Sequence, residues 1–221
     1  MSKTLRTCLV LGLATGISLP ASARQFASPE GKAQPQITLI VYDCMGLKSR
    51  VLTAALEGVT RILANARVNA IPIVCRNTSS DPASAHCRQD PSPVAIRIRI
   101  VANPTRFIAG TDGETMGYTA GDLVTIYFSR VNELAIRADL DSDEVLGCVI
   151  AHELGHVLLG PNHTPTGIMS VSWGEDVEAK LIRQRALGFL PFQQERMRAE
   201  VLSRERQAAS QQAGSVAVAA K

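Results

Sequence analysis

The sequence predicts an α+β domain that opens with a βαβ unit, centres on one helix and ends in helices. Three observations predict it. Short runs rich in Ile and Val (ITLIVY, VAIRIRIV, LVTIYF) recur through the first 130 residues, with a helical-period segment after the first of them. Three of the four histidines fall in one stretch, Cys148 to Met169, and two of them are four residues apart. From Asp176 onward the spacing is helical again.

The first residues are expected to lie outside the fold. Lys3 and Arg6 make a positive start, Cys8 to Leu19 is an apolar run too short to span a bilayer, and Ala21-Ser22-Ala23 is an A-x-A cleavage site. Residues 1–23 therefore read as a signal peptide for export, to a periplasm or out of the cell, with no membrane anchor left after cleavage. Removing them takes away two basic and no acidic residues, so the formal charge falls from +3 to +1. A near-neutral chain argues against nucleic acid as a partner. Residues 24–36 carry Pro and Gly and read as an exposed lead-in to a domain spanning 37–207. Nothing in the chain specifies an oligomeric state.

Ile37 to Tyr42 reads as a buried strand. Lys48 to Ala64 places Val51, Leu52, Ala55, Leu56, Val59, Ile62 and Leu63 at helical spacing. Val68 to Val74 reads as a second strand, with a break at Pro72, and the three together predict parallel strands joined by a right-handed crossover. Asn77 to Pro93 is a polar loop holding His86, the one histidine away from the cluster. Val94 to Val101 alternates Arg97 and Arg99 with Ile96, Ile98 and Ile100, a strand with one basic face. Ala109 to Gly121 is glycine-rich and lacks any phosphate-binding fingerprint, so it reads as a loop beside the cleft. Leu123 to Phe128 is a further strand and Arg130 to Arg137 a short helix.

Asp141 as N-cap with Glu144 three residues on predicts a capping box ahead of the central helix, with Leu140 and Val145 as its staple. Beyond Met169 come Trp173, read either as a cleft wall or as core, a helix over Asp176 to Leu187, and another from Pro191 to about Gln207. Residues 208–221 have few large apolar side chains and are expected to be a disordered tail. Aromatic residues make up only 4% of the chain, so aliphatic side chains must build most of the core.

The stretch CVIAHELGHVLLGPNHTPTGIM carries the chemistry. On a helix, His152 and His156 lie one turn apart on one face and can converge on one metal ion. Zinc suits them, because it takes neutral imidazole nitrogen in a tetrahedral shell. Glu153 is rotated off that stripe, where a general base can reach a water at the metal without occupying the metal. Gly160 and Pro161 end the helix and allow the chain to return His163 as a third ligand. Three protein ligands leave a fourth position open, as in catalytic zinc sites. An HExxH alone also arises in ordinary amphipathic helices; the ordered Gly, third His and Met narrow the reading to a metal site.

These residues resemble the metzincin metallopeptidases, whose pattern is H-E-x-x-H-x-x-G-x-x-H followed by a Met-turn. The resemblance implies a zincin-like fold with a mixed twisted sheet, one Zn2+ held by His152, His156 and His163, Glu153 as general base, and Met169 beneath the metal. It implies peptide or protein substrates, cleaved internally by a metal-activated water. It also implies that the strand at Leu123 or the one at Val94 pairs with extended substrate through its edge. The match covers on the order of a tenth of the chain. Three residues rather than two separate His156 from Gly160, and Val171 stands where the serralysin and astacin branches place a tyrosine.

Two other readings stay open on the residues alone. A gluzincin would complete its site with a downstream glutamate, for which Glu175 and Glu178 are placed. A secreted zinc-binding module would keep the fold without cleavage. Four cysteines remain after export: Cys75 and Cys87 flank a polar loop and form the expected local pair, leaving Cys44 with Cys148. Cys148 also lies one turn before His152, where a metal could use it.

Overall fold

The computed structural model describes residues 34–75, 87, 94–104, 115–171, 173 and 176–219. The expected signal peptide, the polar loop with His86, and Glu175 lie outside the described residues. Ile37, Leu39 and Val41 alternate inward along β1 (Gln36–Asp43), and the helical-period segment that follows forms α1 (Ser49–Asn65). β2 (Asn69–Cys75) returns parallel to β1, which completes the predicted βαβ unit. β2 runs unbroken through Pro72 because it is the outermost strand of its sheet, where a residue without an N–H is tolerated. The lead-in is shorter than expected: Pro35 is buried, its carbonyl accepts the Asn69 N–H, and Gln36 already opens β1.

β3 (Ala95–Val101) buries Ile96, Ile98 and Ile100 completely, while Arg99 is exposed on the opposite face. It pairs parallel to β1. β4 (Gly117–Ala120) and β5 (Leu123–Tyr127) form a hairpin, with β5 parallel to β3 and β4 antiparallel to β5. The five-stranded sheet thus has the order β2-β1-β3-β5-β4, mostly parallel with one antiparallel edge. This corrects the reading of Ala109 to Gly121 as loop throughout. A four-residue strand containing Gly117 carries almost no local strand signal; it exists because β5 templates its hydrogen bonds.

α2 (Phe128–Ala138) and α3 (Ser142–Leu159) follow. α3 is apolar nearly all round, and it buries Val145, Leu146, Val149, Ile150 and Leu154 in one cluster with the inward residues of β1, β3, β5 and α1. A helix held on this many sides is a rigid platform. Its N-cap is Asp141, as expected, yet no side-chain cap bond forms. Glu144 instead accepts a hydrogen bond from Arg185 Nε at 3.0 Å. α4 (Asp176–Arg183) is shorter than predicted, and α5 (Pro191–Ala219) longer. The expected tail after Gln207 is helical, because its Ala- and Gln-rich composition favours helix and its single Gly214 is insufficient to end it. Among the described residues, no helix is long and apolar enough to cross a membrane.

Cys75 and Cys87 form a disulfide, with Cα atoms 5.8 Å apart. The second expected bridge is absent. Cys44 is an exposed free thiol just past the end of β1, and Cys148 is a buried free thiol in α3. The crevice beside Cys148 is lined by α1 residues Gly58 and Arg61 and by Ile182 of α4, surroundings that do not include Cys44.

Candidate metal centre

α3 presents His152, Glu153 and His156 on successive parts of one turn, and the loop after it returns His163 to the same place. Ligand atoms of His152, His156 and His163 all lie within 4.8 Å of one another. The Nε2 atoms of His152 and His156 are 3.0 Å apart. The His163 ring centroid is 4.8 Å from that of His156 and 5.3 Å from that of His152. Among the described residues this group includes neither a glutamate nor Cys148, and Glu178 is not part of it.

The extra residue before Gly160 is absorbed by the helix. α3 continues to Leu159, and Gly160 then takes φ +93°, a conformation that a side chain would strain. Gly160 N–H still donates to the His156 carbonyl, and the Gly160 carbonyl sits 3.1 Å from His156 Nδ1. The fourth residue after His156 thereby becomes its orienting partner.

His152 is oriented from further away. Its Nδ1 is 2.7 Å from the carbonyl oxygen of Ile168. That carbonyl belongs to a turn in which Ser170 N–H donates to Gly167 O at 3.1 Å and Thr164 N–H donates to Met169 O at 2.9 Å. His152 and His156 therefore each donate the Nδ1 proton to a backbone carbonyl and turn an unprotonated Nε2 inward. Two imidazole lone pairs 3.0 Å apart repel unless a cation lies near both. The donor set thus fits a divalent ion that accepts neutral imidazole, with zinc the ordinary choice. Burial, the largest influence, together with the nearby His156 and His163, holds His152 down at about 4 against the opposing Ile168 carbonyl. Its ring is therefore neutral at pH 7. Desolvation and His156 also lower His163.

Glu153 is only 6% exposed. Thr119 Oγ1 donates to its Oε2 at 2.6 Å. Burial pushes the carboxyl above the usual carboxylate range, while the Thr119 hydrogen bond and His156 act the other way. Met169 is fully buried beneath α3, against Gly155, where a Cβ would collide with its sulfur. Trp173 meets both expectations: it is a buried core residue, sits edge-on to His152 at 5.2 Å between ring centroids, and lines the cleft.

That cleft has a volume of about 740 Å³ and contains the three histidines and Glu153. β4 forms one wall, and its outer edge is unpaired among the described strands. β5 and β3 are both interior strands, so neither can offer the edge expected of them. At one end Arg204 of α5 pairs with Asp122 at 2.6 Å and donates to the Val157 carbonyl at 3.1 Å, tying α5 to the β4–β5 turn and to α3. Sequence reasoning passed over Thr119, Gly117, Arg204 and the Ile168 carbonyl. The one available signal was the alternation Gly117-x-Thr119 inside the glycine-rich stretch.

No family model matches the chain, and no curated protein matches it. Among solved structures, the crystal structure of archaemetzincin from Methanopyrus kandleri is similar, at 14% identity over 78% of this chain and 98% of that one, with a TM-score of 0.49.

Proposed function

We propose that the chain is an exported zinc-dependent endopeptidase of metzincin type. One observation carries the reading: three imidazoles converge in a cleft walled by a strand whose outer edge is unpaired among the described strands, with a buried carboxylate between them and that strand. His152, His156 and His163 would hold the zinc. When bound, the ion would polarise a scissile carbonyl and acidify a water at its open fourth position.

The chain's own groups do the remaining work. The open edge of β4 offers backbone N–H and C=O groups to an extended peptide, which aligns one peptide bond beside the histidines. Glu153 takes the proton of the attacking water and delivers it to the departing amine. Burial raises the Glu153 carboxyl, which strengthens it as a base toward the water proton. Trp173, buried and edge-on to His152, closes one side of the site to bulk water. The Cys75–Cys87 disulfide supports export to an oxidising compartment.

The test is zinc content of the purified protein beside cleavage of casein and a peptide library, with Glu153→Gln as control. One zinc per chain and cleavage that disappears in the variant are expected. Zinc without cleavage of any substrate favours a binding module, and a folded protein prepared without chelator that holds no metal refutes the reading.

A further inference from the structure

We propose that Thr119 is a positioning residue for Glu153, holding its carboxylate toward the histidines from the very strand whose edge faces the cleft. The inference rests on the reading of Glu153 as general base.

β4 alternates its side chains, so Tyr118 points outward and is 45% exposed, while Gly117 and Thr119 face α3. The two inward positions grip the carboxylate in different ways. Thr119 Oγ1 is 2.6 Å from Oε2 and 3.2 Å from the Glu153 carbonyl. A hydroxyl has one hydrogen, and the shorter, charge-assisted contact takes it. At Gly117 an added Cβ would stand 2.7 Å from Oε1, 2.8 Å from Cγ and 2.9 Å from Cδ. Bare backbone therefore backs Oε1 while a hydroxyl anchors Oε2.

A glutamate has three side-chain torsions and does not keep one orientation by itself. A buried carboxylate also needs a hydrogen-bond donor. Thr119 meets both needs, and it does so from an element that no local pairing ties to α3. A base displaced by about 1 Å loses roughly a hundredfold in rate, so the hold is consequential.

Thr119→Val removes the hydroxyl at nearly constant shape, and Thr119→Ser keeps it. In the zinc-loaded protein T119V should lower kcat by about tenfold to a hundredfold with KM and zinc content unchanged, and T119S should restore it. In the metal-free protein, urea midpoints of T119V, E153A and the double variant should be non-additive. Additive midpoints overturn the proposal. So does a T119V protein that cleaves at the parental rate, or one whose loss lies in KM or zinc content alone, the signature of a merely structural strand contact. If the parent itself holds zinc and cleaves nothing, the peptidase reading fails and the positioning role falls with it. If the parent cleaves and T119V cleaves equally fast, only the positioning role falls.

Discussion

Met169 packs its sulfur into the space that a side chain on Gly155 would occupy. The two residues are 14 apart in sequence, and their contact seats the Gly167–Ser170 turn against α3. That turn delivers the Ile168 carbonyl to His152 Nδ1. A helix that needed only to present histidines could carry alanine at position 155. This one carries glycine because the methionine needs the room.

Gly155→Ala should therefore act on stability and on metal affinity together. Overpacking a full core typically costs about 1–3 kcal/mol. The urea midpoint should fall accordingly, and zinc affinity should drop by roughly 10–100-fold as the Ile168 carbonyl shifts from His152. Competition with a chromophoric chelator measures the second effect. Unchanged affinity at lowered stability would separate the turn from the site.

The three converging histidines make a sharper prediction. His163→Ala should weaken zinc binding by more than the roughly 10–100-fold that loss of an outer partner costs. Glu178→Ala should leave binding unaltered, since Glu178 is not among the converging groups. Glu153→Gln should keep zinc and lose about a hundredfold or more in cleavage. Metal titration followed by a peptide assay distinguishes all three.

The two free thiols among the described residues should differ in reactivity. Burial pushes Cys148 up to about 12, with Glu144 adding to the rise and Arg61 opposing it. At pH 8 its thiolate is a fraction of roughly one in ten thousand, while Cys44 is exposed. A thiol reagent at pH 8 should label Cys44 alone in the native protein and both thiols in denaturant. The same shift has a sign for stability. The native state keeps the Cys148 proton that the unfolded chain releases above 9.0, so this contribution falls as pH rises from about 9 towards about 12. Urea midpoints at pH 8 and pH 10 for the parent and Cys148→Ala should show a steeper loss in the parent.

Reducing Cys75–Cys87, or replacing both by serine, should lower stability by about 3 kcal/mol, the loop-closure estimate for a separation of 12 residues. The midpoint of the serine variant should no longer respond to reductant. A parent that ignores reductant would show that the bridge adds nothing to stability.

Much of this was legible because its determinants are local. The spacing of His152 and His156 puts them on one helical face in any context that forms the helix. The continuous apolar run ITLIVY marked β1, the alternation in VAIRIRIV marked β3, and a polar loop between Cys75 and Cys87 marked their bridge. Less was legible where two segments compete for one partner. Glu144 had the spacing of a capping box, yet Arg185, 41 residues away, takes its carboxylate. Cys44 and Cys148 matched by arithmetic alone, and the packing of α3 against α1 places Cys148 elsewhere.

By itself, then, the sequence determined the helix α3, the convergence of its two histidines, the βαβ opening and the local disulfide, because periodicity and short loop closure act within a few residues. Only the tertiary structure decided which strand is the open edge, that Thr119 and Gly117 enclose Glu153, that Ile168 orients His152, and that Met169 lies against Gly155. Those contacts join segments 14 to 36 residues apart, and α5 reaches the β4–β5 turn across 82. No local period encodes them; they form because β5 templates β4 and because a largely buried α3 leaves each neighbour one place to pack.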